Sequence, residues 1–294
     1  MPSETIQWFP GHMAKTRRLI AKCLPQVDIV LEVLDARIPK SSANPELSRL
    51  IADKPLLKLL NKSSLADTSV SRAFTAYYRK KGIFCLETDC LDGTGIREIP
   101  RTVQTILADK LARYAERGMQ GRRLRAMIVG IPNVGKSSLI NRLAGGKKTK
   151  VENRPGVTRD KQWVPAGEAL DLLDTPGVLW PKFDDPTTGL HLALTGAIKD
   201  AVLDLEEIAC SLLKILAARY PDRLAARYRV TEEEIASFSP YDLFLTIGKR
   251  RGFVISGGEP DTDRTCRMLL DEFRRGVLGG ISLEFPKETD DARL

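Results

Sequence analysis

The chain has no run approaching the ~20 apolar residues needed to span a bilayer, so no transmembrane segment and no membrane partner are expected. Its N-terminus, Met1-Pro2-Ser3-Glu4-Thr5, is followed by no apolar signal segment, which predicts a cytoplasmic protein. The five cysteines, Cys23, Cys85, Cys90, Cys210 and Cys266, form no C-x-x-C pair. Such an odd, scattered set reads as reduced thiols, most of them core fillers, rather than a disulfide framework. Only two histidines are present, His12 and His191, which leaves few candidates for acid–base chemistry. No internal repeat or low-complexity tract is found. Acidic residues are in the minority: 46 Lys and Arg against 38 Asp and Glu give a formal net charge of +8. That balance favours a polyanionic partner without saying which. The length of 294 residues allows one large domain or two ordinary ones.

Of what is present, Gly130-Ile131-Pro132-Asn133-Val134-Gly135-Lys136-Ser137 is the most specific. It fits G-x-x-x-x-G-K-[ST], the phosphate-binding loop. The apolar run Ala126-Met127-Ile128-Val129 precedes it and a helical pattern, Ser138 to Leu143, follows, giving the strand–loop–helix context the motif requires. The glycines let backbone N–H groups face a phosphate chain, and the helix adds its positive N-terminal end. Lys136 is placed to reach the β- and γ-phosphates and the Ser137 hydroxyl to bind Mg²⁺.

Val27 to Asp35 is a nearly continuous apolar run that suits a buried parallel strand. Asn44-Pro45-Glu46 reads as a helix start, with a capping side chain, Pro at the first helical position and an acid in the first turn. Further strands are predicted over 55–60, 83–86, 126–129 and 170–174, and helices over 12–25, 68–81 and 95–117. Strands alternating with helices imply an α/β fold, a parallel sheet with helices on both faces. Beyond about residue 180, Pro181, Asp184-Asp185-Pro186 and Gly189 mark a linker, and 190–278 is helical almost throughout and rich in Arg and Lys. The expected organisation is an α/β domain over 1–180, a smaller basic all-α domain over 181–285 and a disordered tail over 286–294. The basic residues read either as contacts to nucleic-acid phosphates or as i,i+4 partners of acids such as Glu232, Glu233 and Asp271.

Asp174-Thr175-Pro176-Gly177 closes the strand downstream of the phosphate loop. An aspartate there can hold Mg²⁺, and the Gly177 amide can sense a γ-phosphate; Thr158, in Arg154-Pro155-Gly156-Val157-Thr158, is placed to complete the Mg²⁺ shell as a switch threonine. A base-reading N-K-x-D ordinarily follows these elements. None follows Asp174; the nearest match is upstream, Asn61-Lys62-Ser63-Ser64. The order is permuted, with base recognition first and phosphate handling second. With this order, the opening Trp8-Phe9-Pro10-Gly11-His12-Met13-Ala14-Lys15 and the element Asp35-Ala36-Arg37-Ile38-Pro39, the chain resembles the circularly permuted YlqF-type GTPases, ribosome biogenesis GTPase A, from residue 6 to about 285. The resemblance implies a circularly permuted P-loop GTPase domain followed by a helical RNA-binding domain. It also implies use of GTP, GDP and Mg²⁺ in late assembly of the large ribosomal subunit, with ribosomal RNA as partner; separately from the resemblance, a monomer is expected. In that reading Gly130, Asn133, Val134, Gly135, Lys136, Ser137 and Ser138 hold phosphates, Ser137, Thr158 and Asp174 manage Mg²⁺, and Asn61 and Lys62 flank the base.

The chain departs from the GTPase pattern at three places. Residue 64 is Ser where N-K-x-D ends in Asp, and a lost charged acceptor costs ~1.5–3 kcal/mol. Asp67 reads as the cap of the next helix rather than a replacement. The second base-touching loop is Glu87-Thr88-Asp89-Cys90, with Thr88 as the stand-in. Val178 occupies the place of the water-orienting Gln, a feature shared with the YlqF type, whose resemblance points to His12 as the catalytic replacement. On this reading the free protein turns over slowly, and Asn133 resembles the asparagine that binds K⁺ in potassium-activated GTPases. The alternatives are a nucleotide-dependent RNA-binding scaffold with little hydrolysis, and an NTPase with relaxed base choice.

Overall fold

A computed structural model describes residues 10–51, 54–119, 121–145, 163–175, 177, 179 and 185–286. Six strands, β1 Ile29–Asp35, β2 Leu56–Asn61, β3 Phe84–Glu87, β4 Leu124–Val129, β5 Trp163–Ala166 and β6 Leu170–Asp174, form one sheet in the order β3-β2-β1-β4-β6-β5. Every residue of β1 is buried, as its apolar run requires for a strand covered on both faces. All neighbours are parallel except β5, which runs antiparallel to β6 at the edge. β5 was not expected from the sequence. It is short and carries Pro165, which an edge strand tolerates because one side needs no ladder donor.

The helices are α1 Pro10–Cys23, α2 Pro45–Leu50, α3 Thr68–Lys80, α4 Glu98–Ile106, α5 Ala108–Glu116, α6 Lys136–Leu143, α7 Pro186–Leu194, α8 Leu205–Arg219, α9 Pro221–Tyr228, α10 Glu232–Ser237, α11 Pro240–Arg250 and α12 Thr262–Arg274. Asn44 caps α2 as predicted, accepting from the amides of Glu46 and Leu47. The single helix predicted over 95–117 is instead two. Leu107 leaves helical geometry (φ −103°, ψ 18°) and is buried, with no Gly or Pro there to mark the bend.

From α7 onward the described chain is helical, with α8 packed against α11 and α12. One apolar cluster runs from the sheet, through Ile29, Leu31 and Leu57, to Leu192, Leu213, Leu269 and Phe273. The chain then returns to the sheet as an extended strap: the amide of Ile281 donates to Leu65 O and that of Leu283 to Arg37 O, both at 2.9 Å. At its end the Glu284 carboxylate accepts from the Ser41 amide at 2.9 Å and meets His191 Nδ1 at 3.0 Å, all three residues being buried. No helix among the described residues is long and apolar enough to cross a membrane.

The site lies where β1, β2, β4 and β6 end, outside the carboxyl ends of parallel strands. The strand bearing the phosphate loop is fourth in the chain yet central in the sheet, between β1 and β6. The permutation thus changes the order of elements along the chain and leaves the base motif beside the loop.

Candidate functional site

The phosphate loop leaves β4 at Gly130 and enters α6 at Lys136. Gly135 has φ 99°, and a Cβ there would lie 2.3 Å from Asn61 Nδ2, so only glycine fits. Lys136 Nζ donates to the carbonyls of Gly130 at 3.0 Å and Ile131 at 2.7 Å. Burial pulls the Lys136 ammonium down to about 8, against the opposing pull of Asp174 and with a smaller push from Lys62. Ser137 is half-buried and Ser138 exposed in the first turn of α6. Asp174 ends β6; burial raises its carboxyl, and Lys136 opposes the rise. Thr175 Oγ1 donates to Ile128 O at 2.6 Å and fixes this turn to β4. Gly177 passes so close to the loop that a Cβ would fall 2.8 Å from Lys136 Nζ and 2.9 Å from Pro132 Cα.

The base motif is stitched directly to this loop. Asn61 Nδ2 donates to Val134 O at 2.8 Å, and Lys62 Nζ donates to Asn133 O at 2.7 Å. Lys62 (φ 60°) and Asn133 (φ 58°) both hold left-handed backbone, which is sparsely populated outside glycine and typical of functional sites. Behind them Asp35 accepts Arg37 Nε at 2.9 Å and Nη2 at 2.7 Å, and Lys62 Nζ at 3.1 Å. Burial alone would raise the Asp35 carboxyl, but Arg37 and Lys62 outweigh it and hold it well below the usual carboxylate range. Desolvation lowers Lys62, with Asp35 opposing. The element Asp35-Ala36-Arg37 therefore acts as the scaffold that aims Lys62, a role the sequence did not disclose.

Thr88 is fully buried, and its Oγ1 donates to Asn61 Oδ1 at 3.4 Å, so it holds the base motif from beneath. Ser64 is exposed and pairs with Asp89. Asp67 caps α3, accepting from the amides of Ser69 and Val70.

A family model described as a 50S ribosome-binding GTPase matches residues 125–241. The ribosome biogenesis GTPase A of Priestia megaterium is 46% identical over 289 residues, covering 97% of this chain and 99% of that protein. The chain belongs to the ribosome biogenesis GTPase A family. At greater distance, the mitochondrial ribosome-associated GTPase 1 of Bos taurus is 34% identical, covering 96% of this chain and 89% of its own length. The solved structure of GNP-bound YlqF from T. maritima superposes with a TM-score of 0.63 at 26% identity, covering 93% of this chain and 99% of that one. Membership makes the chain a P-loop GTPase that binds guanine nucleotide and hydrolyses GTP.

Of the sequence-predicted residues, the fold gathers Asn61, Lys62, Gly130, Asn133, Val134, Gly135, Lys136, Ser137, Asp174 and Gly177 around the strand ends. Thr158 and Val178 lie outside the described residues. His12 lies in α1, and its side chain is outside the described set. Asn133 Nδ2 donates to Gly196 O at 2.7 Å, a tie to the helical half that the sequence did not announce. Ser137 and Asp174 are hard oxygen donors beside the loop lysine, the class of ligand that Mg²⁺ takes while keeping several waters.

Proposed function

We propose that this GTPase works in assembly of the large ribosomal subunit, gripping ribosomal RNA through its helical half and leaving after hydrolysis. Two domains carry that reading, the permuted nucleotide domain over 1–180 and the helical domain over 181–285. The relatives named as ribosome biogenesis GTPases support a ribosomal role. Cytoplasmic action as a monomer is part of the same reading.

The observation that carries the nucleotide chemistry is the Asn61–Val134 and Lys62–Asn133 pair of hydrogen bonds, which sets base motif and phosphate loop at one site. The loop amides and the α6 N-terminus would receive the phosphates, Lys136 would give up its loop carbonyls for them, and Ser137, Asp174 and Thr158 would hold Mg²⁺. The metal, when bound, neutralises charge on the transferring phosphoryl group. His12 would orient or deprotonate the attacking water. The Asn133 side chain, tied to Gly196 through Nδ2, would offer its Oδ1 to K⁺.

Most of the helical half's arginines are committed within the fold. Arg227 pairs with Glu272, Arg250 with Glu234, Arg274 with Asp200 and Arg275 with Asp271. Lys214, Arg229 and Lys249 are exposed and make no ion pair among the described residues, so they are the first candidates for phosphate contacts. GTP turnover with and without large subunits, in the wild type and in His12→Ala, tests the proposal. Stimulation lost in the variant supports it. Equal stimulation in both would sink the His12 role, and no stimulation in either would leave the scaffold reading, which Val178 also favours.

A further inference from the structure

The base-reading position that ends the N-K-x-D pattern is Ser64, yet a carboxylate stands directly against it. Ser64 Oγ donates to Asp89 Oδ2 at 2.5 Å, and the Ser64 amide donates to the same oxygen at 3.1 Å. Asp89 is 1% exposed, while Ser64 above it is exposed. The other oxygen, Oδ1, accepts the Leu91 amide at 2.7 Å, and the Asp89 backbone bonds Thr94 O and the Gly93 amide. The carboxylate is thus fixed from both sides. Lys62 is close enough to feel its charge, and Cys90, the next residue, bonds Asn61. Asp89 therefore belongs to the base site rather than to a remote turn.

A carboxylate can only accept, so the Ser64 hydroxyl proton has one place to go. With that proton committed to Asp89, the Ser64 oxygen presents only lone pairs outward, and the charge beneath strengthens it as an acceptor. The guanine edge offers two donors, N1–H and the N2 amine. Xanthine replaces the amine with a carbonyl acceptor, hypoxanthine lacks it, and adenine offers an acceptor at N1. We infer that Ser64 and Asp89 act as one relay, in which Asp89 is a positioning residue that holds Ser64 Oγ as the acceptor for the guanine edge. The carboxylate has moved from the base-facing loop to the loop behind it, and its charge is passed forward through a hydroxyl. The inference rests on the guanine-nucleotide reading and names the groups that read the base.

It also inverts the obvious repair. Ser64→Asp would set a second carboxylate against buried Asp89, and two like charges at that distance cannot both ionise. The single change therefore weakens GDP binding, whereas Ser64→Asp with Asp89→Ser rebuilds the same pair in the opposite order. Asp89→Asn places an amide nitrogen opposite a backbone N–H whichever way it turns, since both carboxylate oxygens accept one. It perturbs the loop as well as the relay, so the ratio between nucleotides is the informative readout.

The test is competition of GDP, IDP, XDP and ADP against a fluorescent guanine nucleotide, on the wild type, Ser64→Asp, Asp89→Asn and the swapped double variant, with thermal melts alongside. The expected result is a GDP-over-XDP preference that falls roughly 10–100-fold in Asp89→Asn, the size of one charge-assisted contact. No gain is expected in Ser64→Asp, and recovery in the double variant. Tighter GDP binding by Ser64→Asp alone would overturn the relay. So would equal loss for all four nucleotides in Asp89→Asn without recovery in the swap, which is the mark of a purely structural aspartate. Wild-type protein that binds all four alike overturns the relay and leaves the phosphate site intact; wild-type protein that binds none overturns both.

Discussion

Replacing Asp35 by alanine removes the acceptor for three Arg37 contacts, from Nε at 2.9 Å, Nη2 at 2.7 Å and the backbone amide at 3.1 Å, and for Lys62 at 3.1 Å. The Arg37 side chain is 1% exposed, its Nη1 has no hydrogen-bond partner among the described residues, and its guanidinium lies 5.2 Å over the ring of Phe273. Breaking a buried pair from one side leaves an uncompensated charge and costs about 3–5 kcal/mol. The Lys62 side chain is 25% exposed and rehydrates, so it adds little. Urea unfolding of Asp35→Ala should show that loss, a large share of the ~5–15 kcal/mol typical of a folded protein. Nucleotide affinity should fall too, because Lys62 loses one of its two anchors. Asp35→Asn combined with Arg37→Met removes both charges and should cost clearly less than Asp35→Ala alone. The linkage sign follows from a carboxyl held below its ordinary 3.8: its stabilisation is complete above that value and fades as pH falls beneath it. A loss under about 1 kcal/mol for Asp35→Ala, or a double variant as damaged as the single, would refute the scaffold role.

Lys136 titrates near 8 in the free protein, and bound phosphates would hold it charged. GDP affinity should be flat below that pH and weaken above it, with proton uptake seen by calorimetry in two buffers; no uptake at pH 9 would count against the assignment. Gly177→Ala would drive a methyl to 2.9 Å from the Pro132 backbone, so GTP turnover should drop at least about tenfold while the melting temperature moves little. Glu284→Ala strands the Ser41 amide and His191, and the stability lost in urea should be about 1–3 kcal/mol, with earlier proteolytic release of the C-terminal strap.

The elements legible in the sequence were those whose signal is local. The β1 run, the Asn44 cap and the phosphate loop each fit within a few residues and stand where expected. What escaped depends on partners distant in the chain. β5 carries Pro165 and owes its place to an edge, and the bend at Leu107 is set by burial rather than by a breaking residue. The arginines were open to two readings, contacts to nucleic-acid phosphates or i,i+4 pairs with nearby acids. Arg267–Asp263 and Arg275–Asp271 are such pairs, but Arg227–Glu272 and Arg274–Asp200 close long loops that only the helix packing brings together. The same holds at the site: Ser64 looked like a bare loss until the fold set Asp89 beneath it.

The Asn133–Gly196 hydrogen bond joins the phosphate loop to the first turn after α7, whose Ala193 and Leu194 carbonyls are held by Arg274. One such bond is worth about 0.5–1.5 kcal/mol, a factor of roughly two to twelve in an equilibrium constant. Whatever nucleotide state turns Asn133 away from Gly196 shifts the helical half by that factor. Reciprocity then requires that a ligand gripping the helical half shift nucleotide affinity by the same factor. A single side-chain amide, set beside the strap bonds to Leu65 and Arg37, thus carries one measurable share of what passes between the two halves of the molecule.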